Sequence, residues 1–274
     1  MKHTTLLGAM LSPALLDHPG PAQSPPAPAV HGDAEYAVRW RPGGDIAAEL
    51  ADTIARLRRD DAAAATLPPA KNFSIAYYDV APAAWPDGYA ASLRERVEKK
   101  NGKEDVELTY KVRGPAPLPS PFPTVPGSGL ANVDRQEETD VTVVAARDRS
   151  VRNASISCSI KPKKVDIVPE PFATMSGKRP CTIAMTRYKL PWKAARPDDE
   201  TNGREDLKIE TWTFATASGA HRVLIEVSWK GTTDPRDEDA FRAAVQPLID
   251  RLPDGVPPSK ERTAAECDAD TWTP

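Results

Sequence analysis

The chain has 274 residues, 40% of them hydrophobic, which is enough for one large domain or two small ones with a core. A formal net charge of −3, from 36 Lys and Arg against 39 Asp and Glu, argues against a generally basic nucleic-acid binder, because holding a phosphate backbone needs a clear excess of cations on one surface. The 29 prolines gather in residues 19–29 and 115–126 and near the C-terminus, so they mark tails and a loop, and the ordered domain is shorter than the chain.

In chain order, Lys2 and His3 precede an apolar run from Leu6 to Leu16 and a Pro-rich stretch ending in Ala27-Pro28-Ala29. This reads as a signal peptide with a spacer over residues 1–29 and predicts a secreted or extracytoplasmic protein; the other reading is an N-terminal tail without fixed structure. No later stretch reaches the ~18 continuous apolar residues of a membrane span. Residues 45–66 place Ile46, Leu50, Ile54 and Leu57 at helical spacing behind Asp45 as N-cap, and residues 234–252 place Phe241, Val245, Leu248 and Leu252 on one stripe, with a kink expected at Pro247. Between them lie strand candidates at 35–40, 72–78, 91–98, 105–113, 137–145, 152–161, 182–190, 206–215 and 222–230. Strands in this number with only terminal helices predict a mainly β (α+β) fold, an antiparallel sheet closed or nearly closed into a barrel with flanking helices. The domain spans 33–252, and 253–274 lacks an apolar period and reads as a flexible tail. Cys158, Cys181 and Cys267 lack CxxC spacing; a Cys158–Cys181 bridge, with Cys267 unpaired, and buried thiols are equally compatible with the sequence. His31 and His221 stand in no Ser/His/Asp constellation.

The strands share a pattern. One parity is apolar (Val106, Leu108, Tyr110, Val112), while the other carries both signs of charge (Glu107, Lys111, Arg113). The same alternation puts Glu35 and Arg39, Arg94 and Arg96, Glu138 and Asp140 on charged faces. It continues with Arg187 and Lys189, Lys208 and Glu210, then Glu226 and Lys230. In one strand this is what a sheet with a wet face produces. If the sheet closes with the charged parity inward, the facing charges demand a compensating ligand or one another, and the interior reads as a binding site.

The stretches YYD (77–79), SLRER (92–96), VELTYK (106–111), EETD (137–140), KIETW (208–212) and LIEVSWKG (224–231) resemble, in that order, the strand signatures of the CYTH superfamily, the triphosphate tunnel metalloenzymes. The resemblance covers roughly residues 33–252 and implies an antiparallel eight-stranded β-barrel or tunnel. It further implies binding of a triphosphate or polyphosphate, with divalent-metal-dependent hydrolysis as the activity. Arg94, Arg96, Lys111, Arg187 and Lys230 match phosphate-binding positions, and Arg39, Arg113 and Lys189 share their charged parity. Glu35, Glu107, Glu138, Asp140 and Glu226 are the expected Mg2+ or Mn2+ ligands, since hard carboxylate oxygens suit those ions, and Glu210 and Glu226 are the expected catalytic carboxylates. Where the family carries ExExK, this chain has Glu35, Ala37 and Arg39, so a methyl group replaces one carboxylate. That departure supports an alternative, a non-catalytic secreted polyanion-binding module on the same scaffold. A sandwich-fold interaction protein with its charges facing solvent is the third reading. None of the three involves nucleic acid.

Overall fold

The computed structural model describes residues 32–58, 67–80, 85–120, 122, 125, 127, 130–144, 149–192, 205–252 and 259–268. The predicted signal peptide and residues 59–66 of the predicted first helix lie outside them. In chain order come β1 (Asp33–Trp40), α1 (Ile46–Leu57), β2 (Lys71–Tyr78), β3 (Ala90–Lys100), β4 (Lys103–Pro115), β5 (Asp134–Val143) and β6 (Ser150–Ile160). Then follow β7 (Thr182–Trp192), β8 (Glu205–Ala215), β9 (His221–Thr232), α2 (Pro235–Ile249) and α3 (Lys260–Ala265).

Nine strands close into one barrel in the order β1-β5-β6-β4-β3-β2-β7-β8-β9. The expectation of eight antiparallel strands is therefore corrected in both number and direction. An odd number of strands cannot alternate up and down around a closed ring, so one neighbouring pair must be parallel, and that pair is β1 with β5. The other ladders are antiparallel. Between β3 and β4, Lys100 pairs with Lys103 across a two-residue turn of Asn101 and Gly102. Both turn residues have positive φ (52° and 73°), the backbone that Asn-Gly hairpins adopt readily.

Most of the apolar parity faces outward, beneath helices and loops. Tyr36, Val38, Trp40, Ile209, Val227 and Trp229 are buried against Leu50 and Ile54 of α1 and Phe241, Val245 and Leu248 of α2. Helices α1 and α2 each start where an aspartate caps them: Asp45 accepts from the Ala47 N–H at 2.8 Å, and Asp234 from that of Arg236 at 2.9 Å. Pro247 lies in the last turn of α2, which runs on to Ile249. A second outer cluster gathers Leu93, Leu108, Tyr110, Val112, Ile156 and Ile160, covered in part by Val125 and Phe172.

Two expectations about the C-terminal region are overturned. Residues 259–268, read as flexible tail, form α3 and a 3-10 turn (Glu266–Asp268); Thr263, Ala264 and Cys267 are buried. Cys181 pairs with Cys267 rather than Cys158, with their Cα atoms 5.6 Å apart, while Cys158 stays a buried thiol. The strand order explains this, since β6 and β7 are not neighbours and Cys158 belongs to the outer cluster. The missing apolar period of the tail has the same origin, because α3 is six residues long and is buried through small side chains and one covalent bond.

At the β9–α2 corner, buried Asp237 accepts from the Thr232 N–H (2.7 Å) and hydroxyl (2.9 Å). Asp237→Ala leaves both donors unsatisfied and is expected to lower unfolding free energy by about 1–3 kcal/mol in urea denaturation; an unchanged midpoint would contradict this role.

Candidate functional site: the charged barrel interior

Register fixes which side chains meet inside. Arg39 on β1 stands opposite Glu226 on β9, Glu226 opposite Glu210 on β8, and Glu210 opposite Arg187 on β7, forming one row across four strands. Arg39 Nε donates to Glu226 Oε2 at 2.8 Å, and Arg187 Nε to Glu210 Oε1 at 2.7 Å. The remaining oxygens of the two glutamates face Lys260 of α3, whose Nζ donates to Glu226 Oε1 at 2.6 Å and Glu210 Oε2 at 3.3 Å. That ammonium also lies 4.4 Å from the centre of the buried Trp212 ring, whose Nε1 donates to Glu210 Oε2 at 2.9 Å. Glu261 reaches Arg113 Nη1 at 3.4 Å. Behind this row, interior-facing Phe73, Ile75, Tyr77, Ile183, Trp212 and Phe214 pack with Ala264 and Cys267, so α3 fills that end of the barrel.

The cavity that remains has a volume of about 480 Å³, within the usual range for small-molecule sites. Every predicted site residue lines it except Lys189, which lies half exposed beside Asp206 at 3.1 Å. The charged parity therefore points inward, and the sandwich with solvent-facing charges is excluded. The lining also includes Lys208, Lys260 and Glu261, none of which the sequence analysis assigned to the site.

The interior is polarised. Glu35 of β1 and Glu138 and Asp140 of β5 each bring one carboxylate oxygen within 4.8 Å of the others. Lys111 Nζ lies 3.2 Å from both Glu138 and Asp140, Lys230 lies 3.2 Å from Glu138, and Arg113 Nε lies 2.5 Å from Asp140. Glu35 makes no hydrogen bond or ion pair among the described residues, and burial, then the charge of Glu138, pushes its pKa up. Three hard oxygen donors within this distance of one another could hold a metal ion. Glu107 and Glu226, expected as further ligands, stand outside this trio: Glu107 accepts from Arg96 at 2.7 Å, and Glu226 belongs to the deep row.

Across the ring from β1 and β5 come β3, β2 and β7. Here the guanidiniums of Arg96 and Arg187 lie 5.3 and 5.2 Å from the centre of the Phe73 ring. Arg94 has no carboxylate partner among the described residues. Its Nη2 lies 3.5 Å from Thr109 Oγ1, while its Nε and the cross-strand Tyr77 hydroxyl are buried without hydrogen-bond partners. Neighbouring Lys208 of β8 also makes no contact ion pair among the described residues; burial pulls its pKa down, against the opposing charge of Glu35, and Lys230 and Arg187 add to the fall.

Glu210 and Glu226 carry lowered pKa values. Burial alone would raise them, but Lys260 with Arg187 on the first, and Lys260 with Arg39 on the second, hold both as carboxylates. Their oxygens are committed to Arg39, Arg187, Trp212 and Lys260. Lys260 covers the buried Trp212 ring, and Trp229 lies in the outer core.

No protein-family model matches the chain, and no curated protein matches it. The solved structure of the PH1819 protein from Pyrococcus horikoshii OT3 aligns with 85% of this chain and 98% of its own at 12% identity and a TM-score of 0.42. That likeness carries no inference about activity.

The titrations have opposite signs. Asp140, Glu210, Glu226 and Glu261 lie below their ordinary values of 3.8 for aspartate and 4.5 for glutamate, so the stability they contribute is full above those values and is lost as pH falls through the folded ones. Glu35 lies above its ordinary value, so in metal-free protein its charge opposes folding at neutral pH and the penalty lifts on acidification through the raised value. Glu35→Gln is expected to raise Tm by roughly 2–4 °C in chelator at neutral pH and to abolish stabilisation by Mn2+. A lower Tm with the Mn2+ shift intact would contradict both roles.

Proposed function

We propose that the barrel interior binds a triphosphate or polyphosphate together with a divalent cation, Mg2+ or Mn2+. The observation that carries this reading is a set of lining charges without contact partners. Arg94 and Lys208 make no ion pair at contact distance among the described residues, and neither does Glu35 of the acidic trio, which the charges of Lys111 and Lys208 reach only across the cavity. A polyphosphate with a divalent ion supplies those partners: phosphoryl oxygens accept from Arg94 and Lys208, and Glu35, Glu138 and Asp140 hold the ion. The strand motifs that resemble the CYTH superfamily support the same ligand class.

Hydrolysis requires in-line attack of water on the terminal phosphorus, with charge stabilisation as the main catalytic contribution. A divalent ion at the trio supplies neutralisation of phosphoryl charge. Arg94, Arg96 and Lys208 fix the phosphate chain, and Arg187 and Arg39 anchor the row that bounds its deep end. A second reading, binding without turnover, is favoured by Ala37 at a family carboxylate position and by the commitment of Glu210 and Glu226 to Lys260. The Cys181–Cys267 disulfide and the N-terminal apolar run support an extracytoplasmic location, where such bonds persist.

Calorimetric titration of tripolyphosphate with Mn2+ present should show binding that Arg94→Ala and Lys208→Ala each weaken at least ~10-fold, about 1.4 kcal/mol. Lys189→Ala, outside the cavity, should change affinity less than about twofold, consistent with a half-exposed ion pair. Phosphate release from tripolyphosphate, ATP and long-chain polyphosphate then separates the two readings, turnover marking the enzyme and binding alone the module. Absence of binding to all three ligands would overturn both.

A further inference from the structure

The charged parity does not stop at the rim of the cavity. Arg96 of β3 and Glu107 of β4 line it, and the β3–β4 ladder runs on past them, through Glu98 opposite Asp105, to Lys100 opposite Lys103 at the Asn101-Gly102 turn. Residues 99–105 are exposed, and Lys100 and Lys103 stand on the same faces of their strands as Arg96 and Glu107. Beside them the chain leaving β6 turns through Pro162–Lys164 and brings up Lys161 and Lys164. The acids of this extension are already paired: Lys71 lies 3.3 Å from Glu98, Lys161 lies 2.5 Å from Asp105, and Lys99 lies 3.6 Å from Glu104. Lys100, Lys103 and Lys164 make no ion pair among the described residues. Like charges directly across a ladder repel, so Lys100 facing Lys103 is a local cost that a hairpin shaped for stability alone has no reason to carry. Cavity and hairpin also share a field. Asp105 is held below the usual carboxylate value first by the hydrogen bond from Lys161, against a small opposing effect of burial, and then by the charges of Lys161, Lys164 and Arg96.

We propose that Lys100, Lys103 and Lys164 form a second binding zone outside the cavity for an anionic chain too long to fit within it, so that the ligand class is linear long-chain polyphosphate. Its terminal phosphates lie inside, and the following ones pass over Arg96 and are held by the three lysines. This rests on the reading of the cavity as a phosphate site. Lys100 lies about 13 Å along β3 beyond Arg96, at roughly 3.3 Å per residue, out of reach of a trimer seated at Arg94 and Lys208. Lysine suits such a stretch, because a flexible point charge follows a chain without fixing its register, whereas the planar guanidiniums inside fix individual phosphates. A nucleoside triphosphate, whose anionic part ends at its sugar, would leave the hairpin lysines without a partner.

The test titrates the full chain with tripolyphosphate and with long-chain polyphosphate, Mn2+ present, over a range of NaCl concentrations. It compares wild type, Arg94→Ala and a triple variant combining Lys100→Ser, Lys103→Ser and Lys164→Ser. For the long chain, loss of three phosphate contacts should flatten the dependence of log K on log salt by roughly 2, at about 0.7 per contact as on a single-stranded polyanion. Tripolyphosphate affinity should stay within about twofold in the triple variant, since salt screens charges that far from its site. Tm should not fall, because the three side chains are exposed and two of them repel each other. Arg94→Ala should weaken both ligands. A long-chain salt slope left unchanged by the triple variant would overturn the outer zone while the cavity reading stands on its tripolyphosphate binding. Long-chain binding that needs the lysines but ignores Arg94, with no binding of tripolyphosphate, would instead fail the cavity reading and with it the continuous path. Displacement of the long chain by an oligonucleotide of equal charge would reduce the lysines to a general cation patch and overturn the choice of ligand.

Discussion

A closed barrel that turns many buried charged side chains inward depends on their neutralising one another. An unpaired buried charge costs several kcal/mol, so the interior stands only because nearly every ion has an opposite partner at hydrogen-bond distance. Strand register supplies much of this directly: Arg39 meets Glu226 and Arg187 meets Glu210 as immediate cross-strand neighbours. The apolar residues that a conventional barrel would turn inward are freed for the outer face, where α1, α2 and the loops over β3, β4 and β6 cover them. Helices flank this sheet because its greasy side is outside.

Neutralisation at contact distance is incomplete in the cavity. Glu35 in the acidic trio of β1 and β5, Arg94 on β3 and Lys208 on β8 make no contact ion pair among the described residues. Glu35 and Lys208 act on each other only across open space, which leaves room for a ligand between them. At the deep end the reverse holds. Lys260 satisfies a carboxylate pair that the strands leave incomplete, so α3 is part of the interior's charge balance as well as a plug.

Period-two alternation made much of this legible in the sequence. The nine strand candidates are the nine strands, and the residues assigned to the site on the charged parity line the cavity, Lys189 excepted, because that side chain lies half exposed beside Asp206. Three features were not legible, each for a physical reason. Closure of an odd ring forces a parallel β1–β5 pair, which no local pattern encodes. Specific pairing inside the cavity separates Glu107 and Glu226 from the trio, and that depends on three-dimensional distance rather than parity. The helix α3 has no sequence signal because Thr263, Ala264 and Cys267 carry too little apolar surface to give a period, and its attachment is covalent. Lys208 was visible on the charged parity; only its lack of a partner, a property of the fold, marks it as a ligand-facing cation.

The central claim is that one phosphate chain satisfies Arg94 and Lys208 while one divalent ion satisfies the Glu35, Glu138 and Asp140 trio. A crystal structure of the full chain grown with tripolyphosphate and Mn2+ tests it most directly, using the anomalous signal of manganese. The account predicts an anomalous peak among Glu35, Glu138 and Asp140 and phosphate density against Arg94 and Lys208. Tripolyphosphate on the outer surface, or an interior without ligand while Arg94 turns to a carboxylate, would contradict it.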